Sequence, residues 1–136
     1  MQNNKELKVR MFVNGQALAG GSINFALAGS TFLGQASTAP SYRFYAVRDE
    51  FPGLVPAHEG GASIPGELYE LSYAQLRESL LPNEPEELEL MVIELADGSG
   101  SLSMRLREAL IDGPDVVDIT HRGGWLAYQA GRKPQG

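Results

Sequence analysis

Lys8-Val9-Arg10-Met11-Phe12-Val13-Asn14-Gly15-Gln16-Ala17-Leu18-Ala19-Gly20 is an alternating segment that breaks at an Asn-Gly step and continues as a loop of small residues. Side chains along a strand alternate between faces, so Val9, Met11 and Val13 are expected on one buried side, with Arg10 and Phe12 on the other. The Asn14-Gly15 step then takes the backbone out of the ladder. Consecutive unpaired N–H groups in a tight turn make a concavity that attracts anions or carbonyl oxygens, which marks this loop as a candidate binding lip. The plainer alternative is an ordinary turn, for which Asn-Gly is a common pair.

The chain has 136 residues, the size of one domain with one sizeable core. Its formal net charge of -6 argues against nucleic acid or an anionic membrane as partner, because either would repel it. Cysteine is absent, which excludes disulfides, thiol catalysis and thiolate metal sites, and two histidines are too few for a histidine-rich metal site. Neither metal nor cofactor is expected. The first six residues are polar and lack the apolar stretch of a secretory signal, and no apolar run approaches membrane-spanning length, so a soluble cytoplasmic protein is expected. Residues 1–6 and 131–136 are expected to be flexible ends around a domain at 7–130.

Along the chain, Ile23 to Ala28 reads as one or two helical turns ended by Gly29. Thr31 to Thr38 and Tyr42 to Arg48 read as strands separated by Ala39-Pro40-Ser41. Asp49 to Gly61, with Pro52-Gly53, Pro56 and Gly60-Gly61, reads as a long irregular surface connection. Ala62 to Leu71 is strand-like, with Pro65 marking an edge or a bulge. Ser72 followed by Gln75 is a capping-box pattern before Leu76, Leu80 and Leu81 at helical spacing, with Pro82 as terminator. Leu88 to Leu95 and Ser101 to Leu110 flank Asp97-Gly98, a strong hairpin signal. Thr120 is placed to cap a last short helix that carries Trp125 and Tyr128 on one face, as core aromatics. The fold class that follows is α+β: about six strands in a mostly antiparallel sheet curled into a partial barrel, with short helices.

Phe12 to Gly20, as strand then loop, resembles the first signature of the gamma-glutamylcyclotransferase-like family, and Ile64-Pro65-Gly66-Glu67-Leu68-Tyr69-Glu70-Leu71 followed by a helix resembles its second. Four further stretches are similar to one branch, the C-terminal domain of allophanate hydrolase and its stand-alone relatives: Thr38 to Tyr45, Pro52-Gly53-Leu54, Glu94 to Gly98, and Asp118 to Tyr128. Together they cover most of Lys8 to Ala130. The serine and lysine machinery of that enzyme's amidase half has no counterpart among these residues.

The resemblance implies a backbone cradle in the loop and, in the cyclotransferases, a glutamate after the helix as general acid and base. Counted from Gly66, that glutamate falls on Asn83, and an amide cannot shuttle a proton near neutral pH. Glu84 is one residue on and would substitute if the helix end were reshaped; the plainer reading is a solvated acid in the run Glu84, Glu86, Glu87 and Glu89. In the first signature the family's tyrosine, serine or threonine, and leucine are replaced by Asn14, Gln16 and Ala17. The histidine that the allophanate hydrolase branch carries in this loop, near Ala17, is missing. His58 and His121 would titrate near neutrality but read more simply as surface residues.

Glu67, mid-strand among apolar neighbours, is a better pocket candidate, although a solvent-facing carboxylate is the commoner outcome. Arg43 and Tyr45 share a strand face on which an arginine would receive a carboxylate bidentately, or pair with a surface acid. The reading is therefore a small-metabolite binding domain. Asn14, Gly15, Gln16, Ala17, Leu18, Arg43, Tyr45 and Asn83 are the candidate substrate contacts, and Glu67 and Glu84 the candidate catalytic acids. The resemblance implies a small carboxylated or amide metabolite of the urea and allophanate kind. The rival reading is a non-catalytic accessory or oligomerisation domain that pairs with itself or with a separate amidase; the third is cyclotransferase activity through Glu84.

Overall fold

The structure, a computed structural model, describes residues 7–131. The flexible ends expected at 1–6 and 131–136 lie outside the described residues, except for Gly131, which closes the last helix. The strands are β1 (Lys8–Val13), β2 (Thr31–Ser37), β3 (Tyr42–Val47), β4 (Phe51–Pro56), β5 (Pro65–Ser72), β6 (Leu88–Glu94), β7 (Gly100–Leu106) and β8 (Val116–Asp118). They form one eight-stranded sheet in the order β2-β5-β1-β7-β4-β3-β8, with β6 added on β7. All pairings are antiparallel except β1 with β7 and β4 with β7, and the sheet curls into a half-barrel. The α+β class stands, with eight strands where the sequence suggested about six.

β1 buries Met11, Phe12 and Val13 in succession, so burial is not confined to the face of Val9, Met11 and Val13. Its place explains this: β1 lies inside the sheet between β5 and β7, where both faces are covered. The main core gathers around it from Phe44, Leu54, Leu71, Leu80 and Trp125, and a smaller cluster of Val47, Phe51, Val55, Leu88 and Leu106 lies beside it.

The stretch 49–61, expected to be irregular, contains β4. Phe51 to Val55 are all buried, and that burial outweighs the turn chemistry of Pro52-Gly53. Gly53 suits the position because a Cβ there would stand 2.8 Å from the Cβ of Leu106 on the neighbouring β7. The β3–β4 turn holds Arg48 and Asp49 at φ of 51° and 57°, where Asn-Gly is the usual pair. Two tethers hold them there. Arg48 pairs with Glu50 at 3.1 Å and Glu87 at 2.9 Å, and the Tyr128 hydroxyl donates to Asp49 at 2.5 Å.

The helical segments also depart from expectation in detail. The Ser72 hydroxyl accepts from the Gln75 N–H at 3.0 Å, as a cap should, but the Gln75 amide does not close the box; it donates to the Ala26 and Ala28 carbonyls, each at 3.0 Å. Helix α1 (Tyr73–Gln75) passes into a π-helical turn over Leu76–Leu80 and then a 3₁₀ turn over Leu81–Asn83. Pro82 therefore does not stop the helix; it sits in the first turn of the 3₁₀ segment, where its missing N–H costs nothing. Thr120 caps no helix, since α2 (Trp125–Gly131) starts five residues later. Its hydroxyl accepts from the Phe44 N–H at 3.0 Å and donates to Asp118 at 2.5 Å. The hairpin around Asp97-Gly98 forms as expected, with Glu94 opposite Gly100. No peptide bond among the described residues is cis, and none of their helices is long and apolar enough to cross a membrane.

Close backbone approach between β1 and β5 depends on Gly66, where a Cβ would meet the Val13 carbonyl oxygen at 2.3 Å and the Phe12 ring at 2.6 Å. Gly66→Ala is expected to cost about 2–3 kcal/mol in urea unfolding, with an unchanged denaturant slope. Wild-type stability in that variant would show that the two strands part freely.

Candidate functional site

β7 is paired along one edge by β6 over its whole length, and along the other by two strands in turn. It meets β1 at Leu102, opposite Met11, and β4 at Arg105, opposite Leu54. Between those bridges β1 and β4 part, and the fork holds a cavity of about 20 Å³, room for about one water molecule. Its walls are residues 11–17, Phe51 and Pro52 at the start of β4, Ser103 and Met104 on β7, and Glu84, Pro85 and Leu88 from the segment before β6. The Ser103 hydroxyl donates to the Phe12 carbonyl at 2.8 Å, which anchors β1 at the point where pairing to β7 stops.

The loop after β1 folds on its own carbonyls: Leu18 N–H donates to Gly15 at 3.1 Å, Gly21 to Leu18 at 2.7 Å and Ile23 to Gln16 at 3.0 Å. The N–H groups of Gly15, Gln16 and Ala17 donate to no acceptor among the described residues. Asn14 is 8% exposed, and its amide nitrogen is buried without a partner. A glycine is required at position 15, since a Cβ would stand 2.4 Å from the Pro52 ring. The lip that the sequence suggested is thus a row of uncommitted donors pressed against β4.

Glu84 ends the 3₁₀ turn in extended backbone (φ -83°, ψ 148°), with its N–H donating to Leu81 at 3.1 Å. It is half-buried and lines the fork, and burial raises its carboxyl from the ordinary 4.5 to about 7. The reading of Glu84 as a solvated acid is corrected by this placement. Asn83 is exposed, and its amide donates to the Ser79 carbonyl at 2.7 Å, away from the cavity lining.

The remaining candidates lie elsewhere. Arg43 pairs with Asp118 at 3.1 Å and donates to the Glu59 carbonyl at 3.3 Å, near the open edge of the sheet. Tyr45 packs against the smaller apolar cluster, where burial first and the neighbouring Asp118 second push its phenol up. Neither lines the fork. Glu67 and Leu18 line a second cavity on the far side of the loop. His58 and His121 are exposed. Sequence reasoning missed Ser103 and Phe51. Ser103 carries a signal: Ser101 and Ser103 place polar groups on the buried face of an alternating strand that ends in Leu106.

Residues 9–130 match the profile of the allophanate hydrolase C-terminal domain. No curated protein sequence is significantly similar to the chain. Among solved structures, a uropathogenic E. coli-specific protein superposes with a TM-score of 0.84 at 31% identity, covering 91% of this chain and 97% of that one. The Kluyveromyces lactis allophanate hydrolase superposes at 0.84 with 26% identity over 96% of this chain, which spans 22% of that enzyme. A gamma-glutamyl cyclotransferase gives 0.56 at 12% identity, covering 74% of this chain and 67% of that one, and shares the fold alone. The chain belongs to the allophanate hydrolase C-terminal domain family and has the gamma-glutamylcyclotransferase-like fold.

Proposed function

We propose that the fork is the binding site for a small carboxylated amide, with Glu84 as its proton carrier. The observation that carries this is a carboxyl raised to about 7, on the rim of a row of unpartnered donors. A group titrating there both gives and takes a proton near neutrality. The N–H groups of Gly15, Gln16 and Ala17 and the Asn14 amide are suited to hold a carbonyl or carboxylate oxygen as charge develops on it. Relatives named as allophanate hydrolase point to a urea-derived acid as the ligand class. Glu84 serves where distance along the chain would put Asn83, because a π turn holds one more residue than an α turn and moves the helix end one place along the sequence.

A second reading rests on the size of the fork. Room for about one water is too little for a urea-sized molecule, so a ligand must move Glu84 and Pro85 away from the loop. A domain in which that does not happen is an accessory or assembly module for a separate amidase or a second copy of itself.

Calorimetry separates the two. Malonate and γ-glutamyl amides at millimolar concentration are expected to release heat, and malonate affinity is expected to fall as pH rises through about 7 and Glu84 becomes negatively charged beside the malonate dianion. Glu84→Gln removes that pH dependence and any turnover. Absence of heat with every compound overturns the binding reading in favour of the assembly module. Stability gives an independent check. The folded carboxyl keeps its proton to about pH 7 while the unfolded one releases it near 4.5, so the folded state binds more protons in that window and loses stability as pH rises through it. Wild type is expected to lose up to about 3 kcal/mol across the window relative to Glu84→Gln in urea unfolding. Parallel pH curves for the two proteins would refute the raised pKa.

A further inference from the structure

On the other side of the loop lies a cavity of about 210 Å³ that shares no lining residue with the fork. Its polar side chains are Glu67 at the start of β5 and Gln35 directly opposite it on β2, and Trp125 at the start of α2 also lines it. Leu18, Pro65 and Leu126 supply apolar wall. The walls at Gly66 and Gly124 stay bare because a side chain has no room: at Gly124, held at φ 103°, a Cβ would stand 2.6 Å from the Pro65 ring.

Glu67 is 7% exposed, and its two oxygens are treated differently. Oε1 accepts from the Ala19 N–H at 2.9 Å and the Tyr69 hydroxyl at 3.0 Å. Oε2 has no partner among the described residues and is not fully enclosed by protein, and Glu67 lines the cavity. No Lys, Arg or His among the described residues pairs with this carboxylate. Trp125 is 2% exposed, and its indole N–H is buried without a partner. A buried carboxylate without a counter-cation is costly.

We propose that this cavity is a second binding site, for a small organic cation whose ammonium nitrogen donates to Glu67 Oε2. An anion is repelled by Glu67. A neutral amide offers Oε2 a hydrogen bond but forgoes the charge-assisted one, which is the stronger. The apolar wall suits a short carbon frame on the cation, and a cation beside the indole ring gains from its π face.

Trp125 is the one tryptophan in the chain and lines the cavity, so its fluorescence reports on it. Glycinamide is the probe, with acetamide and N-acetylglycine as its neutral and anionic counterparts. Glycinamide is expected to change Trp125 emission saturably in the millimolar range, acetamide to need at least about tenfold more, and N-acetylglycine to have no effect. Glu67→Gln keeps an acceptor for Ala19 and Tyr69 but loses the charge, and is expected to weaken glycinamide at least about tenfold. Gln35→Glu, which leaves Glu67 in place and adds a carboxylate across from it, is expected to tighten binding severalfold. No saturable change in the wild type, equal affinity in a folded Glu67→Gln, or unchanged affinity in Gln35→Glu overturns the proposal. Competition by malonate, the fork probe, also overturns it, because it would place both molecules in one site.

Discussion

The division of one edge of β7 between two strands is the constraint on which the rest depends. A strand edge has one row of backbone donors and acceptors, so when β4 takes over from β1 between Leu102 and Arg105, both neighbours must bend away from the place of exchange. The backbone left there needs other partners: Phe12 finds the Ser103 hydroxyl, and the N–H groups of Gly15, Gln16 and Ala17 have no acceptor among the described residues. Gly15 then lets the loop rest on Pro52, so the proline that weakens β4 as a strand becomes the wall of the fork.

The parts of this arrangement that were legible in the sequence are those fixed by local chemistry. The strand at β1, the Asn14-Gly15 break, the Asp97-Gly98 hairpin and the Ser72 cap each depend on a few adjacent residues. β4 was hidden because Pro52 and Gly53 read locally as a turn, whereas their place as a buried strand is decided by Leu106 on a distant neighbour. The Arg48-Asp49 turn is similar. Left-handed backbone at two side-chain-bearing residues has no local signature, and its tethers, Glu87 and Tyr128, are far away in sequence.

The candidate site divides along the same line. The donor row follows from the Asn-Gly step and the small residues beside it. Counting along the chain from Gly66 to Asn83 assumes one helical pitch. The turn over Leu76–Leu80 is π-helical, which carries Asn83 out to solvent and Glu84 into the fork. Arg43 and Tyr45 were grouped with the loop on face geometry alone. Their strand lies two places from β7 in the sheet, and Asp118 on β8 claims the arginine. Glu67 was recognisable as a carboxylate in need of partners, though nothing in its own segment names Ala19.

The loop between the two cavities is held unequally from its two sides. On the Glu67 side it is fastened: Ala19 gives its N–H to the carboxylate, and Ala17 gives its carbonyl to the Asn24 amide at 2.8 Å. Asn24 also reaches the Tyr69 hydroxyl at 3.4 Å, which closes a ring of hydrogen bonds from Asn24 through Tyr69 to Glu67. On the fork side the same few residues face the cavity with their donors free. A loop tied on one side and open on the other keeps its N–H groups in place without spending them, as a preorganised oxygen-binding row requires. Glu67 thus fastens the loop at Ala19, two residues from the nearest of those donors.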